Sequence, residues 1–247
     1  MAQSKGGTGK TSSTLNIAAA LLEKQARVLV CDLDQQSNLT VSLGINPLDC
    51  LVNTHTLLTE PNAQAQEAVV ETEEGIDLLP GHPDLALVEF KMPAVARERV
   101  IGRKLAALRS SYDYILLDTA PSLGIATLNA LCAADWMLVP TQPEPLCVYG
   151  LYMLLDQMET IKAESNPGLN LLGFFITFYD ARSRAHKEME KQLREKWEGQ
   201  IFQSVIKRRN SILETTLEGR SMISLKRDSE LAKEYRALTQ EVIKRAK

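Results

Sequence analysis

The chain has 247 residues, 45% of them apolar, and a formal net charge of −3. That length supports one large α/β core or two small ones, and no apolar run approaches the ~18 residues of a transmembrane helix. Cys31, Cys50, Cys132 and Cys147 form no C-x-x-C pair, and His55, His82 and His186 stand far apart. This pattern argues against a sequence-local zinc site and suits a reducing cytoplasm.

The N-terminus is rich in glycine and lysine and carries no signal peptide. Its chemistry lies in the run Lys5-Gly6-Gly7-Thr8-Gly9-Lys10-Thr11. Glycines let backbone N–H groups approach a polyphosphate without a Cβ in the way. Lys10 is placed to reach phosphate oxygens, and the Thr11 hydroxyl to coordinate Mg²⁺. The strict G-x-x-x-x-G-K-[ST] pattern fails at its first position, where Ser4 stands. Only four residues precede Lys5, so the strand that should lead into the loop is truncated or very short.

Thr11 to Glu23 holds Leu15, Ile17, Ala18, Ala19, Leu21 and Leu22 with no Pro or Gly, which predicts a helix whose positive dipole end faces the loop. Arg27 to Cys31 is a short β-branched run, read as a strand buried on both faces. It ends in Asp32-Leu33-Asp34, carboxylates at the strand end where ligands bind in open α/β sheets. Further strands are expected at 76–81, 114–118, 137–140, 171–178 and 201–206. Helices are expected near 84–109, 124–133, 148–164, 183–197 and 228–247. This alternation implies βαβ units and a mainly parallel sheet covered on both faces. No linker or repeat interrupts residues 1–247, so one domain is the simplest reading. Tyr114-Ile115-Leu116-Leu117-Asp118 places a carboxylate at a strand tip, the position of a Mg²⁺-holding Walker B acid. The loop after it ends in Gly124, placed to sense a terminal phosphate. No Asn/Thr-Lys-x-Asp element for guanine occurs, which favours ATP.

Charge is divided unevenly. Residues 1–180 hold 11 Lys+Arg and 21 Asp+Glu, and residues 181–247 hold 17 and 10. A basic C-terminal third on an acidic chain marks a candidate nucleic-acid or membrane surface.

The stretches KGGTGKTSSTLNIAAALLEKQARVLVCDLDQQSN and YDYILLDTAPSLGIATLNALCAADWMLVPTQPEPLCVYGL, with LLPGHPDLALVE, LLGFFITFYDARSRAHKEM and IKRRNSILETTLEGRSMI, resemble the ParA/MinD group of deviant Walker A ATPases across nearly the whole chain. They are most similar to the small Soj-like partition ATPases. The resemblance implies a P-loop NTPase fold of class α/β, with a mostly parallel twisted sheet flanked by helices on both faces.

By the resemblance, Lys5 is the signature lysine that reaches a partner's nucleotide across a dimer. Gly6, Gly7, Thr8, Gly9, Lys10, Thr11 and Ser12 cradle ATP. Thr11, Asp34 and Asp118 serve Mg²⁺, with Asp32 near the metal. Asp34 positions the attacking water, and Thr177, Lys207 and Arg208 fall where the family contacts the base. Two departures stand out: D-x-D-P-Q-G-N is here Asp32-Leu33-Asp34-Gln35-Gln36-Ser37-Asn38, and I-P-R-N is here Ile206-Lys207-Arg208-Arg209-Asn210. The first predicts a more mobile loop after Asp34; the second adds to the basic patch.

The implied function is a slow ATPase that forms a homodimer with ATP and binds DNA non-specifically on the nucleoid. Its phosphate contacts would come from Arg182, Arg184, Lys207, Arg208, Arg209, Arg220, Lys226 and Arg227. A ParB-like adaptor would stimulate hydrolysis, and the cargo would be a plasmid, a chromosome origin or a protein assembly. A MinD-like membrane switch is the alternative. It needs an inserting amphipathic tail, whereas the stripe of Leu231, Tyr235, Leu238, Val242 and Ile243 reads as a helix packed on the core. A third class is an ATP-driven reductase subunit or ligase; the loop after Asp118 lacks the cysteine a shared iron–sulfur cluster would need.

Overall fold

Val28–Leu33 is a run of six consecutive buried residues, so it forms a strand covered on both faces, β1. The computed structural model describes residues 1–3, 5–92, 95–209 and 218–247. The other strands are β2 (Val70–Glu71), β3 (Asp77–Leu79), β4 (Tyr114–Thr119), β5 (Trp136–Thr141), β6 (Asn170–Tyr179) and β7 (Ile201–Lys207). They form two ladders, β2-β3-β1-β4 and β5-β6-β7, parallel throughout except where β2 pairs antiparallel at the edge.

Met1–Gln3 bridges the two ladders. The Met1 amine donates to Leu117 O at 2.7 Å, and Ala2 N donates to Leu138 O at 3.3 Å. The short stub expected before the loop thus lies between β4 and β5 and aims the following loop at their carboxyl ends. Toward the amino ends of β4 and β5 lies a cavity of about 850 Å³, lined by Leu116, Leu138 and Leu172 among others.

The helices are α1 (Lys10–Leu22), α2 (Asn38–Ser42), α3 (Thr54–Thr59), α4 (Ala65–Ala68), α5 (Val88–Lys91), α6 (Val100–Leu105), α7 (Ile125–Ala133), α8 (Pro145–Glu164), α9 (Arg184–Lys196), α10 (Met222–Leu225) and α11 (Glu230–Arg245). Side chains alternate across the strands. Val28 and Val30 of β1 join Leu78, Leu138, Phe175 and Phe202 beneath α1 and α11. Leu29, Cys31 and Leu33 face the other way, toward α3 to α7. Met137, Val139, Phe174 and Ile176 face α8 and α9. Helix α1 is buried nearly all round and lies over both ladders. Full burial of each of its large apolar side chains is worth about 1.5–3 kcal/mol.

Two expectations need correction, and one set of helices was not expected. The predicted helix at 84–109 is broken into 3₁₀ turns at Pro83–Leu87 and Arg97–Arg99 with the short α5 and α6. The sequence carries Pro93 within that stretch, and proline lacks the N–H that a continuing helix needs. Helix α8 begins three residues earlier than expected, with Pro145 in its first turn, where a missing N–H is harmless. The short helices between 38 and 68 carry too few turns for periodicity to reveal them. Among the described residues, no helix is long and apolar enough to cross a membrane.

Candidate functional site

The loop between Met1–Gln3 and α1 turns on glycines. Gly7 and Gly9 have φ of 70° and 84°, the left-handed region where a Cβ is strained. Gly9 is required twice over, since a Cβ there would lie 3.3 Å from the Phe178 ring. Thr8 is buried, and its carbonyl accepts a 2.9 Å hydrogen bond from Thr177 Oγ1. Thr177 Oγ1 also contacts Thr141 O at 3.3 Å, so this hydroxyl is a strut fixing the loop to β5 and β6. Expected to touch the base, Thr177 is instead only 2% exposed with its hydroxyl engaged beneath the loop.

Lys10 is buried, and its Nζ donates to Gln3 O at 3.0 Å. Burial lowers its pKa, opposed by the attraction of Asp118 and Asp34. Gly6 and Gly7 are exposed, and Thr11 and Ser12 are half-buried, so the loop presents its backbone outward.

Asp32 and Asp118 are register partners on adjacent strands. Asp118 is fully buried. Oδ1 accepts from Thr14 Oγ1 at 3.3 Å, the Thr11 hydroxyl lies near enough to the carboxylate to favour its charged form, and Oδ2 has no hydrogen-bond partner. Burial raises the Asp118 pKa against the pull of Thr11 and Lys10. Burial, reinforced by Asp118, also pushes Asp32 up to about 7.

The two acids differ in what occupies their oxygens. Asp32 Oδ1 accepts from Asp34 N at 3.1 Å, while Oδ2 accepts from Thr40 N at 3.0 Å and Thr40 Oγ1 at 2.7 Å. Asp32, expected near the metal, lies beside Asp118 as a loop anchor whose two oxygens both accept hydrogen bonds. Gly81 closes over it, where a Cβ would come within 2.8 Å of Asp32 Cγ. Asp34 is 7% exposed, with Oδ1 accepting from Gln36 N at 3.0 Å. An orphaned buried carboxylate oxygen on Asp118, the Thr11 hydroxyl, Asp34 and the Lys10 ammonium together fit Mg²⁺ and a nucleotide polyphosphate.

In the loop after Asp34, Ser37 N donates to Asp34 O at 2.9 Å, and Ser37 is buried while Gln35, Gln36 and Asn38 are exposed. The lost glycine acts elsewhere. Ser37 takes φ 50° and ψ 31° as the N-cap of α2, and its buried Oγ has no partner. A non-glycine residue in this region costs about 1–3 kcal/mol.

Lys5 lies on the rim. Its Nζ pairs with Glu144 Oε2 at 2.6 Å and contacts Gln142 Oε1 at 3.2 Å, and Cys147 is within reach. The bond to Glu144 raises its pKa. Gln142 Nε2 donates to Gly7 O at 2.8 Å, tying the loop to the end of β5.

The candidate basic residues fall into separate groups. Arg208 N donates to Tyr179 O, so Lys207–Arg209 sit beside the carboxyl end of β6, from which the chain runs through Arg182 to Arg184 at the start of α9. Lys207 and Arg209 share Glu234, and Arg182 pairs with Asp180, while Arg184 and Arg208 are exposed. Arg220 is exposed near the Gly44–Gly219 contact. Arg227 pairs with Glu23, just past the far end of α1, and Lys226 precedes it.

Sequence reasoning missed Thr14, Thr40, Gly81, Thr141, Gln142 and Glu144. Only Gly81, in a Pro-Gly turn, carried a local signal; the others are ordinary polar residues until the fold places them.

A family model described as an AAA domain matches residues 1–171. The chain is 39% identical to the chromosome-partitioning ATPase Soj of Thermus thermophilus over 249 residues, covering 99% of this chain and 94% of that protein. The structure of cobyrinic acid a,c-diamide synthase of Mycobacterium smegmatis with bound ATP analog and magnesium matches with a TM-score of 0.86 at 34% identity, covering 98% and 92%. The cell division ATPase MinD of Pyrococcus furiosus matches with a TM-score of 0.81 at 28% identity, covering 99% and 97%. The glycine loop, the buried Lys10, the orphaned Asp118 oxygen and these relatives agree, and the chain belongs to the ParA/MinD family of P-loop ATPases, with ATP and Mg²⁺ as its cofactors.

Proposed function

We propose that this protein is a nucleotide-switched positioning ATPase: it dimerises with ATP, binds DNA without sequence preference, and is reset by slow hydrolysis that a ParB-like adaptor stimulates. The observation that carries the reading is Lys5. It begins the phosphate loop yet points to the rim, 32% exposed and held by Glu144, while Lys10 alone occupies the buried phosphate-side position. A second lysine at the mouth of the site is suited to a nucleotide bound by another copy.

Backbone N–H groups of residues 6–10 and the Lys10 ammonium bind the phosphates. Thr11 and Asp118 would hold the metal, and Asp34 would orient the attacking water. Mg²⁺, when bound, neutralises charge on the terminal phosphates. Arg184 and Arg208, with Arg182, Lys207 and Arg209 beside them, supply phosphate contacts for DNA. Such contacts weaken steeply as salt rises.

The experiment is retention of plasmid DNA at low salt with ATP, with ADP and without nucleotide; retention only with ATP is expected. Binding to anionic liposomes in place of DNA would establish the membrane-switch alternative. Against it stands α11, whose Leu231, Tyr235, Leu238 and Val242 are buried against α1 and β7. The likeness to a diamide synthase favours a second reading, an amide-forming enzyme on the same scaffold. That reading predicts ATP turnover that needs an acid and an amine donor and ignores DNA.

A further inference from the structure

Phe178 takes φ 51°, in the left-handed region, where a bulky side chain is a backbone outlier. Strain of that kind persists only where the surroundings impose it, and it gathers at ligand clamps and switch segments. The imposing contacts lie on both sides of Phe178. Thr177 Oγ1 donates to Thr8 O at 2.9 Å, and Tyr179 O accepts from Arg208 N at 3.0 Å.

Between those anchors β6 carries one extra residue. It pairs with β7 through Ile176 and Val205, then through Tyr179 and Lys207, so three steps on one strand face two on the other. That is a β-bulge, a device that re-aims a side chain. By strict alternation Phe178 would follow Phe174 and Ile176 toward α8 and α9. Tyr179 takes that place instead, packed on the same cluster. Phe178 is turned to the phosphate loop, where its Cε2 stands 3.3 Å from the point a Cβ on Gly9 would occupy. The ring is only half-buried, so it gains less from burial than a core residue would.

The loop it backs is one that needs fixing. Gly7 and Gly9 both have positive φ, and glycine loses more conformational freedom on ordering than any other residue. A ring against Gly9 restricts that freedom before any ligand arrives.

We propose that Phe178 is a positioning residue for the phosphate loop: the bulge in β6 holds its ring against Gly9, so that the loop N–H groups are arranged before phosphate binds. The proposal rests on the phosphate-loop assignment and is independent of DNA binding. Bound phosphate itself restores the arrangement of the loop. Losing the ring therefore lowers the competent fraction of the free protein and weakens affinity by that factor, while turnover at saturation is kept.

The test compares wild type with Phe178→Ala, which removes the ring but keeps a left-handed non-glycine residue, and Phe178→Gly, which removes both. Inorganic pyrophosphate and adenosine, each displacing a fluorescent ADP analogue with Mg²⁺ present, separate phosphate from base. Both variants should bind pyrophosphate at least about fivefold more weakly and adenosine within about twofold of wild type. The KM for ATP should rise by the pyrophosphate factor, with kcat within about twofold. Phe178→Gly should unfold at higher urea than Phe178→Ala, so that its weak binding is no symptom of lost stability. Adding Gly9→Ala to Phe178→Ala should be non-additive in pyrophosphate affinity, because the ring acts through Gly9. Wild-type pyrophosphate affinity in both variants would overturn the proposal, and so would a loss confined to adenosine, which would make the ring a base contact. Affinity that tracks urea stability across the two variants would reduce the ring to packing and overturn it as well. Failure of the wild type to bind pyrophosphate would remove the phosphate-loop assignment along with it.

Discussion

The two ladders of the sheet divide the work of the site unequally. The ladder β2-β3-β1-β4 carries the carboxylates: Asp32 and Asp34 follow from β1, and Asp118 from β4. The ladder β5-β6-β7 carries no reacting group at the phosphate loop, yet it holds that loop in place through Thr177, Thr141 and Gln142 and restrains Lys5 through Glu144. Chemistry and positioning thus come from different halves, and the loop with its helix α1 is where they join. The difference teaches that loss of a strut and loss of an acid should separate in experiment. An acid variant should fail in hydrolysis with the fold intact, whereas a strut variant should lose stability and nucleotide affinity together.

The largest effect expected is at the junction. Lys10→Ala should lower ATP hydrolysis by about 10²–10³-fold, the scale for removing a preorganised charge from a developing transition state. An unchanged steady-state rate would overturn the site assignment.

Next, Asp34→Asn should reduce turnover by ~10²-fold while nucleotide affinity stays within severalfold, since the loss falls on the transition state alone. A parallel loss of affinity would instead make Asp34 part of the binding surface and blur the distinction between the halves.

Thr177→Val tests the other ladder. It keeps the shape of a buried side chain but removes the hydroxyl that donates to Thr8 O. Unsatisfied buried groups cost about 1–3 kcal/mol, so urea denaturation should show that loss together with weakened nucleotide binding. Full stability with unchanged affinity would remove the strut role.

Ser37→Gly works in the opposite direction. It relieves a left-handed non-glycine residue and an orphaned hydroxyl, and should raise stability by about 1 kcal/mol. A shift of the denaturation midpoint at constant slope is the measurement.

The smallest effect concerns the basic groups. Arg184→Ala and Arg208→Ala should each flatten the log–log salt dependence of DNA binding by about 0.9. Arg227→Ala, paired with Glu23 near the far end of α1, should change it less. Equal slopes for all three would place the DNA along the whole C-terminal third instead of at one edge.

The loop of residues 5–11, the acids at the ends of β1 and β4, and the alternation of buried strands with helices were legible in the sequence. Each rests on local chemistry: glycine where φ is positive, carboxylates at strand tips, and apolar runs that only a covered strand satisfies. The break at 84–109 was marked in the sequence by Pro93, which a reading of apolar periodicity alone passes over. The sequence shows that the family glycine after Asp34 is replaced, but not that Ser37 there takes a positive φ, which is set by the backbone it must cap.

By itself the sequence determined the phosphate-binding chemistry, because the residues that do it are contiguous and constrained by backbone geometry. Only the tertiary structure decided which of two neighbouring aspartates is free for a metal. That choice depends on Thr40, Gly81 and Thr14, which reach the acids from other segments of the chain. The same holds for Lys5, whose restraint comes from Gln142 and Glu144, more than a hundred positions away in the chain. Contacts of that range are created by the packing of one ladder beside the other, and no local pattern encodes them.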